Sequence, residues 1–166
     1  MLKKLLLKHV GPVERMDFTF TSRLNLLTGD NSLGKTFVLD VAWWVLTSNW
    51  AGLPALPRYR MLRDISKNYL PQIHYTLKAE PLTSITAHFD PKTQHWKTED
   101  NNHPLMPSLI IYARADGGFS VWDSARNHPI SLNRLEARQP SSAFHFSTQT
   151  IWNGFISRFY HLTLRG

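Results

Sequence analysis

Cysteine is absent from all 166 residues. That excludes disulfides, zinc–thiolate centres and thiol catalysis. Acidic residues are scarce, 12 Asp and Glu against 19 Lys and Arg, for a formal charge of +7. A basic balance favours anionic partners such as a nucleotide or nucleic acid. The basic residues are scattered, however. Lys3, Lys4 and Lys8 form one small group and Arg58, Arg60, Arg63 and Lys67 another, and a solvated face explains both as well as a DNA surface does. No apolar run reaches membrane-spanning length. Leu5-Leu6-Leu7 is too short for a signal segment, and Lys8 interrupts it. The expectation is a soluble cytoplasmic protein without a membrane partner. Histidines do not offer a metal centre, because His88, His95 and His103 lack the i, i+4 spacing that sets two ligands on one helix face.

Aromatic residues are plentiful. Six Trp and nine Phe, within an apolar content of 42%, imply a filled core or apolar surface meant for a partner. The length suits one domain spanning 1–166.

Few glycines occur, but two stand in Gly29-Asp30-Asn31-Ser32-Leu33-Gly34-Lys35-Thr36, which fits the phosphate-loop pattern of Gly, four residues, then Gly-Lys-Ser/Thr. In such a loop the backbone N–H groups turn inward onto phosphate oxygens, and the N-terminus of the next helix adds partial positive charge. Lys35 would reach the β- and γ-phosphates, and Thr36 would offer its hydroxyl to Mg²⁺. Gly29 and Gly34 permit backbone angles and close approaches that a Cβ would block. The flanks fit as well. Leu24 to Thr28 reads as a strand feeding the loop, and Phe37 to about Leu46 as a helix apolar on every side, hence buried on every side. A plain glycine-rich turn would account for the glycines but not for Lys35-Thr36.

Taken in order, residues 2–10 predict a first strand and Gly11-Pro12 a turn. Met16, Phe18 and Phe20 alternate with polar residues, so 13–20 should pair antiparallel with the first strand. Thus 1–47 holds a strand pair, the loop and its helix. Gly52, Pro54 and Pro57 mark a loop over 48–57, and 58–69 reads as a short amphipathic helix. An antiparallel strand region spans 73–122: strands at 73–77, 84–89 and 94–97, then a hairpin of 108–114 with 119–122 around Ala115-Asp116-Gly117-Gly118. Turns are expected at Glu80-Pro81 and Asp90-Pro91, and a polar loop over 99–107. Residues 123–142 are polar and irregular, 144–147 a short strand, and 148–160 a helix with Thr148 as N-cap.

A hydrolysing phosphate-loop enzyme also needs a carboxylate at the end of an apolar strand to hold the Mg²⁺ shell. The one apolar run that ends near an Asp after the loop is Leu109-Ile110-Ile111-Tyr112, and Asp116 beyond it precedes Gly117-Gly118, which is hairpin chemistry. No catalytic residue is assigned.

The opening strand, the Gly11-Pro12 turn, Phe18-Thr19-Phe20, the stretch from Leu26 to Thr36, and Leu39-Asp40-Val41 resemble the N-terminal segment of ABC-type ATPase heads related to the SMC and RecF proteins, loosely called AAA-family ATPases. The blocks Ile111 to Gly117, Val121 to Asn127 and Ile151 to Gly154 look like a bacterial branch of that family. Ser32 stands where many members carry Gly. The resemblance implies an α/β fold with α+β character: a P-loop NTPase N-terminal lobe, its phosphate-loop helix packed on a mixed sheet with additional antiparallel strands. It implies ATP and Mg²⁺ as ligands. It further implies a second ATPase lobe or a homodimer, and DNA or a nuclease as partner. The family's Walker B carboxylates, signature and switch His find no match in the chain. An ATP-binding lobe that hydrolyses only when completed in trans, a fragment or non-enzymatic interaction module with a structural phosphate site, and a basic DNA-binding protein all remain open at this point.

Overall fold

A computed structural model describes residues 1–30, 34–58, 70–78, 82–98, 109–123 and 143–151. Within them the chain is mixed α/β with two antiparallel sheets and few helices. It forms two compact units, Met1–Met106 and Pro107–Gly166.

Alternation builds the first unit. Strands β1 (Leu2–Lys8) and β2 (Arg15–Thr19) pair antiparallel, with Leu5 opposite Phe18 and Leu7 opposite Met16. Those four side chains share one face, and Lys4, Arg15 and Asp17 take the other. β3 (Gln72–Leu77), β4 (Thr83–Asp90) and β5 (His95–Thr98) extend the sheet in the order β2-β1-β3-β4-β5. Ile73, Tyr75 and Leu77 continue the apolar face, followed by Ile85, Ala87 and Trp96. The strands expected at 2–10, 13–20, 73–77, 84–89 and 94–97, the turn at Gly11-Pro12 and the turn after Asp90 are therefore present.

Two expectations are corrected. Residues 24–28 do not form a strand, and the sheet is antiparallel throughout among the described residues rather than mixed. The causes are linked. A strand must borrow hydrogen bonds from a neighbour, and here Leu24 and Leu26 stand 82% and 81% exposed and pair with no strand among the described residues. Local polar bonds shape the segment instead. The Thr21 hydroxyl donates to the Leu24 carbonyl (2.7 Å), and the Thr21 N–H donates to Asn25 Oδ1 (2.7 Å).

Helix α1 (Lys35–Thr47) lies on the apolar face of the sheet. Val38, Val41, Trp44 and Val45 join Leu5, Leu7, Ile73 and Tyr75 in one core. Burial is nearly all round, as the composition predicts, with one correction: Leu39 is 44% exposed, and Thr36 also faces out. The helix closes at Ser48, which is left-handed (φ 58°) and donates its N–H to the Trp44 carbonyl at 2.7 Å.

The second unit holds β6 (Leu109–Ala113), β7 (Phe119–Asp123) and β8 (Phe144–Phe146), in that order and antiparallel. Asp116 is a turn residue, as expected. Its Oδ1 accepts the Gly118 N–H at 2.9 Å, while Gly117 sits at φ 80°. Tyr112, Ser120 and Trp122 are buried; Leu109, Ile111, Phe119, Phe144 and Phe146 line the opposite, exposed face. A helical turn begins at 148, but its cap is Ser147, not Thr148. Ser147 Oγ accepts the Thr150 N–H at 3.1 Å, whereas the Thr148 hydroxyl donates to the Asp116 carbonyl at 2.6 Å. The predicted helix over 58–69, the turn at Glu80-Pro81, the loop over 99–107, nearly all of 123–142 and the helix beyond 151 lie outside the described residues. No helix among the described residues is long and apolar enough to cross a membrane.

Candidate functional site

The candidate loop runs from the Thr21–Thr28 segment into the start of α1. Gly29, Asp30, Gly34, Lys35 and Thr36 are described; Asn31, Ser32 and Leu33 lie outside the described residues. Gly29 and Gly34 both take positive φ, 143° and 83°, which an L side chain tolerates poorly. Gly34 is also crowded. A Cβ there would sit 2.8 Å from Pro12 Cγ and 3.2 Å from Met16 Cε, so the turn between β1 and β2 fixes the loop's last glycine against the sheet.

From Gly34 the helix starts directly, the Val38 N–H donating to the Gly34 carbonyl at 3.0 Å. Among the described residues no side chain caps this end, and its first turn carries no acidic residue. The first N–H groups of a helix have no partner inside it, and they gather partial positive charge. An uncapped, unneutralised terminus is thus open to an anion. Lys35 adds a full charge. Its Nζ curls back and donates to the carbonyls of Gly29 (2.6 Å) and Asp30 (2.7 Å). Two carbonyl dipoles hold the ammonium without cancelling it, so a phosphate group competes favourably for it. Thr36 is exposed in the same turn.

A Mg²⁺ ion fits this arrangement through Thr36. Its exposed hydroxyl supplies one protein oxygen, and phosphate oxygens would supply others. The described residues contain no group of three or more His, Asp or Glu able to hold a metal by themselves.

Beside the loop lies a cleft of 640 Å³ that the sequence reading missed. Phe37, the residue after Thr36, forms one wall with Trp50, Leu53 and Pro57; Asp40 and Arg58 add opposite charges. Its floor is anchored by contacts distant in sequence. Val10 bridges to Pro57, the Gly11 N–H donates to the Leu56 carbonyl (3.2 Å), and the Arg58 N–H donates to the His9 carbonyl (3.1 Å). Trp96 Nε1 donates to the Ala55 carbonyl at 2.8 Å. Gly11, at φ 75°, presses on Phe37 so closely that a Cβ would fall 2.4 Å from the ring. In the sequence Gly52, Pro54 and Pro57 mark this stretch only as a loop.

In the second unit Ser120 Oγ lies 2.9 Å from His145 Nδ1 across β7 and β8. Burial, with a smaller contribution from the Arg114 charge, lowers the His145 pKa and favours a neutral ring. Ser120 is fully buried, so the pair is a structural cross-strand bond and not an accessible nucleophile. No family model, no curated protein and no solved structure matches the chain.

Proposed function

We propose that residues 29–36 bind the phosphates of Mg-ATP, and that the chain is the nucleotide-binding lobe of an ABC-type ATPase. The observation that carries this reading is the Lys35 ammonium, held 2.6 and 2.7 Å from loop carbonyls at the mouth of an uncapped helix. In the bound state Lys35 leaves the Gly29 and Asp30 carbonyls for the β- and γ-phosphate oxygens. The first N–H groups of α1 take the same anion, and Thr36 contributes its hydroxyl to the cation. Bound Mg²⁺ neutralises charge on the phosphates. The chain's own role is to bind and orient; a carboxylate to complete the cation shell and a group to position water would come in trans, from a second lobe or partner.

Calorimetric titration of Mg-ATP into wild type and Lys35→Ala tests this. Binding by the wild type, weakened at least about a hundredfold in the variant, is expected, because a charge-assisted contact of this kind contributes about 3 kcal/mol. Equal affinities in the two proteins would remove the proposal.

A second reading is a non-enzymatic interaction module. The exposed apolar face of β6, β7 and β8, with Leu109 and Ile111 at 62% and 60% exposure, favours it. Nucleotide binding without turnover, in the presence of every candidate partner tried, is its expected outcome.

A further inference from the structure

The phosphate loop accounts for half of a nucleotide; the 640 Å³ cleft next to it is of the size that small ligands occupy. We infer that this cleft is the base slot of the same site, and that it takes a purine by stacking against Trp50 and Phe37. The inference rests on the phosphate-loop reading and deepens it.

Continuity is the first reason. Phe37 directly follows Thr36, and one turn touches both parts: Pro12 meets Gly34 of the loop while Gly11 meets Phe37 of the cleft. A ligand anchored by its phosphates at Gly34–Thr36 would meet this wall at Phe37, the next residue of the helix. Wall chemistry is the second. Trp50 is held from behind by Trp44, the rings stacked at 5.1 Å and 10°, so its orientation is set before any ligand arrives. A flat ring system gains most from such a fixed flat wall, and the fused rings of a purine gain more than a pyrimidine. Third, the lining is not purely apolar. Asp40 and Arg58 are among the lining residues, and an acyl chain or an apolar peptide would have no use for charged residues there.

The test is calorimetry on the full chain with four probes: Mg-tripolyphosphate, Mg-ATP, Mg-CTP and adenosine. Two variants accompany the wild type. Trp50→Leu removes the stacking ring at similar apolar character. Leu53→Ser alters a cleft residue that is 91% exposed, so the fold is untouched even if Trp50→Leu unfolds. Expected results are ATP binding about tenfold or more tighter than tripolyphosphate, in line with one base stack, and measurable adenosine binding. CTP should be weaker than ATP. Both variants should pull ATP affinity toward that of tripolyphosphate and leave tripolyphosphate unchanged.

Failures separate cleanly. Tripolyphosphate binding as tightly as ATP, with adenosine silent, overturns the base slot and leaves the phosphate loop standing. Adenosine binding that is lost in Leu53→Ser, with no response to tripolyphosphate, keeps the slot and overturns the loop. Equal ATP and CTP affinities overturn the purine assignment. Silence from all four probes overturns both readings.

Discussion

Leu24 and Leu26 leave about four-fifths of their surface in solvent, while Val41 and Val45, on the other side of the phosphate loop, leave none. Both flanks read as apolar elements in sequence, the helical one more densely so. Their difference lies in where each finds its hydrogen bonds. A helix satisfies its backbone internally and needs only a surface to lie on; α1 has the inner face of the five-stranded sheet. A strand satisfies nothing by itself, and 24–28 pairs with no strand among the described residues. Apolar pattern alone therefore signals burial on the helical side and an unmet requirement on the strand side.

The largest expected effect breaks that comparison directly. Val41→Asp buries a charge in the core and should cost about 4 kcal/mol or more, enough to unfold much of the protein. Leu26→Ser, at an 81% exposed position, should change stability by no more than about 0.5 kcal/mol. Chemical denaturation of both reads the contrast. A Leu26→Ser cost comparable with that of Val41→Asp would mean that Leu26 is buried in solution as Leu27 partly is, and the two flanks would no longer differ.

What was legible in the sequence divides along the same line. Strands β1 to β7 followed from alternation and turn residues close in sequence, such as Met16 and Phe18 beyond Gly11-Pro12. The glycines of the candidate loop were also legible: Gly29 and Gly34 were expected to need backbone angles that a Cβ blocks, and both take positive φ. What stayed hidden depends on contacts between distant residues. The fate of 24–28 turns on whether a neighbouring strand exists, which no local pattern reports. The cleft is closed by a Trp96–Ala55 bond spanning 41 residues. At 147–148 both residues are good caps by type. Thr148 is drawn away by the Asp116 carbonyl of the hairpin, which leaves the cap to Ser147.

A middle-sized effect sharpens the role of that distant bond. Trp96→Phe keeps the aromatic packing against Phe89 and Trp44 but leaves the Ala55 carbonyl without its donor. The expected cost is about 1–2 kcal/mol, with nucleotide affinity falling in parallel if the 50–58 wall belongs to the site. Full stability would show that the backbone contacts of residues 9–11 with 56–58 hold the loop without the Trp96 bond.

Smaller still is the end of the helix that wins the comparison. Ser48 carries a positive φ of 58° at the C-cap of α1, a conformation that costs a non-glycine residue about 1 kcal/mol. Ser48→Gly should raise the melting temperature by a few degrees, roughly 2–5 °C for a chain of this size. A lower melting temperature would assign the exposed Ser48 side chain a stabilising contact beyond its backbone.

The smallest effect lies on the polar side of the sheet, at the β4–β5 turn. Asp90 Oδ2 accepts from Lys97 Nζ at 2.6 Å and Oδ1 accepts the Lys92 N–H at 2.9 Å. The Lys97 bond first, then the Lys92 N–H and the Thr93 side chain, hold the Asp90 carboxyl far below the usual carboxylate range. A folded-state value below the unfolded one means that the ionised form favours folding. Its contribution is complete above the unfolded carboxylate value of about 3.9 and fades as pH falls through the folded value. The stability difference between wild type and Asp90→Asn should therefore be constant from neutral pH down to about 5, then shrink steadily in stronger acid. Because the pair is open to solvent, the difference should also shrink in about 1 M salt. A difference that ignores both pH and salt would place the turn's stability in its backbone, where Gln94 donates its N–H to the Asp90 carbonyl at 2.7 Å, and not in the charge of Asp90.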